Sequence, residues 1–170
     1  MRKALALILA LAALLALTAC GSGEPARQLT EFEQDALDLA TRITTSTSTL
    51  LDAERCEREY ATEYRTLYGK DPDKKSLLYG SKIYYDGLGN SWDAMVREYE
   101  GIVVNYEALR KTEGFGLSQN AEIVHALDRM YQNYTGIYDY VVHRTGSADR
   151  LSTKTEAVLE AAKTIQDLLA

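Results

Sequence analysis

Apolar side chains recur every three to four residues after Ala26, and no stretch of this part alternates convincingly with a period of two. This spacing places apolar side chains on one face of a helix, so the pattern predicts an all-α protein. The first predicted helix begins near Gln28. Residues 44–49 are six consecutive hydroxyl residues, which compete for backbone hydrogen bonds, so we expect a kink or break there. The predicted apolar face is Leu29, Phe32, Ala36, Leu39, Ile43, Leu50, Ala53, Cys56, Tyr60, Tyr64 and Leu67.

The second predicted element follows Gly69-Lys70-Asp71-Pro72, a sequence suited to end one helix and begin the next. Gly87 and Gly89 then interrupt the apolar pattern. This element is therefore predicted as one helix kinked near Gly87 and Gly89, or as two helices joined by a glycine hinge. Its apolar positions are Leu78, Tyr85 and Leu88, followed by Trp92, Met95, Val96, Tyr99, Val103, Tyr106 and Leu109.

The third and fourth predicted helices each follow a turn, at residues 114–118 and 145–147. The third has the most regular spacing in the chain, with Val124, Leu127, Tyr131, Tyr134, Tyr138 and Val141 on one face. The fourth begins after the second turn, or one helical turn later if Thr153 and Glu156 form a capping box. Its apolar face is Leu151, Val158, Ala162, Ile165 and Leu169.

Four amphipathic elements joined by short turns bury their apolar faces against one another. The sequence therefore predicts an antiparallel up-down bundle of about four helices, formed by residues 28–170 as one domain. Because the first two elements are longer than the last two, we expect one end of the bundle to project as a helix pair or to fold back.

The first twenty residues differ from the rest of the chain. Arg2 and Lys3 precede an unbroken apolar run over residues 4–17, and small residues follow it. This order is typical of a secretory signal. The fourteen apolar residues are fewer than the roughly 20 that a membrane-spanning helix needs.

The end of this segment, Leu17-Thr18-Ala19-Cys20 followed by Gly21, resembles the lipobox of bacterial lipoprotein precursors. The resemblance covers the export segment alone. It implies that residues 1–19 are removed, that the Cys20 sulfur carries a covalent diacylglycerol, and that residues 20–27 tether the bundle to a membrane. Two or more acyl chains anchor a protein stably, whereas one binds only marginally. The alternative is an ordinary cleaved signal or an uncleaved anchor, in which Cys20 has no such role.

Lipid attachment implies an extracytoplasmic, membrane-anchored protein, at an outer membrane and periplasm or at a Gram-positive cell surface. The excess of acidic side chains argues against nucleic acid as a partner. Without residues 1–19, the chain has 25 acidic and 17 basic side chains, whereas phosphate recognition needs clustered Lys and Arg. With Cys20 acylated, Cys56 is the remaining thiol, and its spacing indicates a small residue on the core face.

Tyrosine is the most unusual component of the mature chain, with twelve residues against two phenylalanines and one tryptophan. A buried phenol needs a hydrogen-bond partner or loses roughly 1–3 kcal/mol. One hypothesis is an inter-helix cavity that binds a small organic ligand. Two alternatives are rings at the edges of the apolar faces with their hydroxyls in water, and an exposed aromatic patch for a protein partner. The candidate ligand contacts are Tyr99, Tyr106, Tyr131, Tyr134 and Tyr138.

Metal and catalytic motifs are weak. Glu122 and His125 have the Glu-x-x-His spacing of di-iron bundles, but Tyr140 stands where a second copy would place its glutamate before His143. On one helix, the two histidines would lie about 27 Å apart. No serine lies in a Gly-x-Ser-x-Gly nucleophile elbow, and no glycine-rich loop follows a strand as a phosphate-binding loop would. We therefore expect no metal, no cofactor besides the covalent lipid, and no enzymatic activity.

These observations lead to two functional hypotheses. The first is a membrane-anchored lipoprotein whose bundle is a non-enzymatic interaction module for another envelope component, such as a protein. The second is a lipoprotein that binds a small molecule among its tyrosines. A ligand binder needs a closed cavity of mixed polarity, at least about 300 Å³ in volume and bordered by tyrosines. An interaction module needs a filled core and a contiguous aromatic or apolar surface patch larger than a few hundred Å².

Overall fold

The computed structural model describes residues 27–68, 91–143, 145 and 149–170. Within them the chain forms four long helices that pack against one another, which confirms the predicted all-α bundle. Cys20, the signal segment and the Gly87/Gly89 hinge lie outside the described residues. The helices are α1 (Glu31–Tyr68), α2 (Ser91–Leu109), the single turn α3 (Glu113–Gly116), α4 (Ala121–His143) and α5 (Asp149–Leu169), with a 3-10 turn at Ser118–Asn120.

The direction of α1 and α2 follows from two contacts at different heights. Arg42 on α1 pairs with Glu98 on α2 at 2.9 Å. Nearer the start of α1, the Phe32 ring lies edge-on to Phe115, which follows α2 in the chain. Because the earlier residue of α1 meets the later residue of the neighbouring segment, the two helices are antiparallel.

Side chains of α4 contact each of the other three long helices. The helix α4 runs antiparallel to α5, which follows after a short connection and is joined to it by the Arg129–Glu160 ion pair. It runs parallel to α1, and Ser46 and Tyr134 meet between them. Because α1 also packs against both α2 and α5, the latter two lie on opposite sides of the α1–α4 pair. The order is up-down-up-down.

The apolar face of α4 is wider than predicted. Tyr134 and Val141 are buried as expected, but Val124 and Tyr131 lie half-buried at its edge. A row one position earlier along the helix is fully or almost fully buried, because α1 and α5 pack closely on α4 and the tyrosine rings of α2 cover its remaining side. This row is Ile123, Met130 and Ile137. In α2 the same offset places Ile102 in the core and leaves Val103 half-buried.

The hydroxyl run at residues 44–49 does not break α1, which is continuous over 38 residues. The hydroxyls of Thr44, Thr45 and Thr49 each donate to the carbonyl four residues earlier, at 2.9, 3.0 and 3.3 Å. Each acceptor is a backbone carbonyl of the helix itself. The hydroxyls therefore find partners without displacing the backbone hydrogen bonds of α1, and the predicted break does not occur.

The helix α1 begins at Glu31 and not near Gln28, because Thr30 caps it. The Glu33 carboxylate accepts from the Thr30 backbone N–H at 2.8 Å, and the Thr30 hydroxyl accepts from the Glu33 N–H at 3.3 Å. This capping box, together with the ion pair to Arg27, holds the pKa of the Glu33 carboxyl below its usual range. The Ser/Thr-x-x-Glu pattern that signals such a cap is present in the sequence and was missed.

The helix α5 begins at Asp149, so the later start proposed for Thr153 and Glu156 is wrong. The Glu156 carboxylate accepts from the Ser152 hydroxyl at 3.3 Å within the helix. The Thr155 hydroxyl donates to the Leu151 carbonyl at 2.8 Å. Both bonds lie inside α5, which explains why these polar residues do not mark its start.

Candidate functional site

The five tyrosines predicted as ligand contacts lie together between α2 and α4, and we call them the tyrosine cluster. Tyr99 stacks on Tyr138, with ring centroids 3.6 Å apart and planes 8° from parallel. Tyr106 stacks on Tyr131 in the same manner, at 3.8 Å and 12°. The Tyr134 ring lies beside Tyr99, at 5.8 Å between centroids and with a 37° tilt.

Helical spacing explains why two stacks form. Tyr99 and Tyr106 are seven residues apart on α2, and Tyr131 and Tyr138 are seven apart on α4. Seven residues make about two helical turns, or about 10.5 Å, so each pair lies on one face at matching heights. Because the helices are antiparallel, the first ring of one pair meets the last ring of the other. Aromatic rings, and not close backbone approach, join α2 to α4.

Two hydroxyls of the cluster have hydrogen-bond partners inside the protein. The Tyr106 hydroxyl donates to Asp128 Oδ1 at 2.6 Å. The Tyr134 hydroxyl and Ser46 Oγ are 2.8 Å apart, and both residues are buried. For Tyr106 and Tyr134, the alternative that the hydroxyls lie in water is therefore wrong. Both phenols avoid the desolvation penalty by pairing with protein groups.

Burial also changes the acidity of the phenols. Loss of solvation raises the pKa of Tyr134 to about 12, against a smaller lowering by its bond to Ser46. Burial and the neighbouring Asp128 carboxylate raise the pKa of Tyr106. Burial is also the main cause that raises the pKa of the other three cluster residues. All five phenols are therefore protonated near neutral pH, and the cluster supplies no phenolate nucleophile or base.

Two surface grooves in the described part of the chain are lined by other residues. One, of about 460 Å³, lies where α1 and α4 begin and α5 ends, and Arg27, Glu33, Asn120 and Leu168 are among its lining residues. The other, of about 340 Å³, lies between α4 and α5. No tyrosine lines either groove. Ligand binding by the tyrosine cluster stays a prediction.

The residues considered for metal binding are on the surface. Glu122 and His125 are exposed and border the groove between α4 and α5. His143 is exposed at the other end of α4, where its ring lies edge-on to Tyr138 with centroids 5.5 Å apart. Among residues 27–68, 91–143, 145 and 149–170, no group of three His, Cys, Asp or Glu side chains is arranged to hold a metal ion.

Cys56 is a free, half-buried thiol packed against the core of the bundle, in agreement with its place on the apolar face of α1. Cys20, the predicted site of lipid attachment, lies outside the described residues. None of the helices described here combines the length and the apolar character needed to cross a membrane.

Ser46 and Asp128, the partners of the two bonded phenols, were not identified from the sequence. Ser46 carried a usable signal, since it lies three residues after Ile43 and four before Leu50 on the apolar face of α1. Asp128 carried none, because its partner Tyr106 is on another helix and the contact depends on how the two helices pair.

The chain was compared with protein-family models, curated proteins and solved structures, and none of the three comparisons finds a match. The function is therefore inferred from two observations. The first is the resemblance of residues 17–20, at the end of the predicted export segment, to a lipobox. The second is the packing of the helical bundle and its tyrosine cluster.

Proposed function

We propose that this protein is a bacterial lipoprotein whose helical bundle is a non-enzymatic interaction module of the cell envelope. The lipobox at residues 17–20 supports the anchor. The observation that carries the second part is the filled space between α2 and α4, where tyrosine rings stack at 3.6 and 3.8 Å. Recognition then takes place on the surface of the bundle.

The hydrogen bonds of the cluster support this proposal. A ligand between α2 and α4 would have to separate rings already in van der Waals contact. It would also disturb the Tyr106–Asp128 bond between these two helices, which leaves the buried Tyr106 hydroxyl unpaired when broken. Such a group costs about 1–3 kcal/mol, which the ligand would have to offset.

The acidity of the cluster supports a non-enzymatic role. General acid-base and nucleophilic catalysis need groups whose pKa lies near the working pH, or is lowered toward it. Burial shifts the Tyr134 pKa in the opposite direction, to about 12. Stacked, neutral phenols are better suited to holding two helices at a set distance than to reacting with a substrate.

Lipid attachment is tested by replacing Cys20 with Ser and expressing the full chain in a bacterium. Cys20→Ser is expected to prevent acylation, so that the protein lacks the lipid mass and leaves the membrane fraction. Cys56→Ser is the matched control, because it alters the second cysteine and should keep both properties. An unchanged mass and membrane association in Cys20→Ser would refute the lipid anchor.

The two functional hypotheses are separated by purifying the acylated protein from its native envelope with crosslinking. Mass spectrometry then identifies co-purifying proteins and, under native conditions, bound small molecules. A reproducible protein partner that crosslinks to the bundle surface supports the interaction module. A stoichiometric small molecule that Tyr99→Ala releases, with the helical content unchanged, would replace it with the ligand-binding alternative.

A further inference from the structure

One end of the bundle combines the point where the tether joins it with most of its exposed large apolar side chains. Arg27, the last residue of the predicted tether, lies at this end, beside the start of α4 and the end of α5. Three large apolar side chains are exposed in the described part of the chain, and they are Val104, Leu117 and Leu168. Leu117 and Leu168, exposed by 47% and 37%, both lie at this end.

The turn between α2 and α4 presents Leu117 from a well-fixed backbone. The Phe115 ring packs edge-on against Phe32 of α1, with centroids 6.5 Å apart. The Asn120 side chain, which is buried, donates to the Gly114 carbonyl at 2.8 Å. A Cβ on Gly114 would lie 2.6 Å from Phe32 Cβ, so the turn fits closely on α1. The outward position of Leu117 therefore follows from the fold.

The charge of this turn differs from that of the whole chain. Residues 110–120 contain Arg110, Lys111 and one acidic residue, Glu113, whereas the chain has a net charge of −6. Arg110 and Lys111 are both exposed, and Arg110 also forms an ion pair of 3.4 Å with Glu107 of α2. Basic side chains beside an exposed leucine suit the headgroup region of a bilayer, where the leucine enters the acyl boundary and the cations meet phosphates.

The length of chain before the bundle limits how far this end can lie from a membrane. Arg27 lies seven positions after Cys20, and each position extends the chain by at most about 3.3–3.6 Å. A lipid on Cys20 therefore holds Arg27 within about 25 Å of the bilayer. No other end of the bundle is held in this way, since Tyr68 lies at the far end of the 38-residue helix α1.

We propose that residues 110–120 and Leu168 form a membrane-contacting surface, with Leu117 and Leu168 inserted at the boundary between headgroups and acyl chains. This inference rests on the proposed lipid anchor at Cys20. A bilayer is favoured over a protein as the occupant because the short tether always keeps lipid within about 25 Å of this end. The bundle then stands on the membrane with the far end of α1 directed away from it.

The test measures the membrane depth of single labelled positions in the full-length, acylated protein. In a Cys56→Ser background, Leu117→Cys and Leu168→Cys each provide one free thiol, because acylation blocks Cys20. The control is Thr153→Cys, at an exposed position on α5 about 22 Å along the helix from Leu168. Each variant carries an environment-sensitive fluorophore and is reconstituted in vesicles of phosphatidylethanolamine and phosphatidylglycerol that contain lipid-borne quenchers.

The lipid-borne quenchers are expected to quench the labels at positions 117 and 168 to the extent that corresponds to a depth of about 5–10 Å inside the interface. The emission of these two labels should shift to the blue, while the label at position 153 should keep the emission of a fluorophore in water. If the protein floats with the vesicles and all three labels stay in water, the membrane-contacting surface is refuted and the anchor stands. If the protein lacks the lipid mass and does not float, the proposed anchor fails, and the surface fails with it.

Discussion

The hydrogen bond between Ser46 and Tyr134 allows a quantitative test of the bundle packing. Its oxygens are 2.8 Å apart, and Tyr134 is fully buried between α1 and α4. Ser46→Ala leaves the Tyr134 hydroxyl buried without its partner, which costs about 1–3 kcal/mol of unfolding free energy. The gain in helix propensity from Ser to Ala, at most about 0.7 kcal/mol, reduces this cost slightly.

Tyr134→Phe is expected to cost less, about 0.5–1.5 kcal/mol. After this change the Ser46 hydroxyl can turn to the carbonyl four residues earlier, that of Arg42. The neighbouring Thr45 hydroxyl already makes the equivalent bond, to Thr41 at 3.0 Å. The Ser46 hydroxyl therefore has an alternative acceptor on its own helix, whereas the Tyr134 hydroxyl has Ser46 as its hydrogen-bond partner in the structure.

The double variant Ser46→Ala with Tyr134→Phe removes both partners and leaves no stranded polar group. Its loss of unfolding free energy is expected to be about 1 kcal/mol smaller than the sum of the losses in the two single variants. Urea unfolding followed by circular dichroism measures all three variants, with Thr45→Ala as the control for an exposed hydroxyl on the same helix. Additive costs would refute the bond, since independent sites show no coupling.

Three further predictions use the same unfolding assay. Gly114→Ala is expected to cost about 1–3 kcal/mol, because its Cβ would lie 2.6 Å from Phe32 Cβ, whereas Gly116→Ala meets no atom within 4 Å and should be neutral or slightly stabilising. Thr30→Ala is expected to cost about 1 kcal/mol, because it removes the hydroxyl that caps α1. Above the ordinary tyrosine pKa of 10, the unfolding free energy is expected to fall with pH, because burial raises the pKa of Tyr134 to about 12. Between these values the unfolded chain loses the Tyr134 proton that the folded chain keeps, so this residue alone lowers the stability by about 1.4 kcal/mol per pH unit. The other cluster phenols add to the fall, and Tyr134→Phe should show a shallower one.

Each of these predictions has an outcome that contradicts it. Equal stabilities of Gly114→Ala and Gly116→Ala would show that the turn does not fit closely on α1. An unchanged stability in Thr30→Ala would show that the capping box does not form. Equal pH slopes in the wild-type protein and Tyr134→Phe, measured between about pH 10 and about pH 12, would show that this phenol is not desolvated.

Much of the fold was predictable because amphipathic helices depend on residues three and four apart. The spacing correctly predicted the four long helices and burial at Leu127, Tyr134 and Val141. It did not identify Ile123 and Met130 as core residues, since the width of a buried face depends on how many helices cover it. The expected break at residues 44–49 failed because the threonine hydroxyls bond within the helix.

The same distinction applies to the tyrosine cluster. Seven-residue spacing placed Tyr99 with Tyr106, and Tyr131 with Tyr138, on the faces of their helices. It did not predict which rings would stack or that Ser46 would meet a phenol 88 residues away. Those contacts require the relative heights of helices that are far apart in the sequence.

The amino-acid sequence alone determined where the helices lie, which faces are apolar, and the acidic balance of the chain, because these properties depend on composition and local spacing. The tertiary structure decided that α1 and α4 run parallel in contact, that the tyrosine rings pack on one another, and that Leu117 and Leu168 share the end where Arg27 lies. Such features arise from competition among all the apolar faces for burial, and no single segment of the chain contains that information.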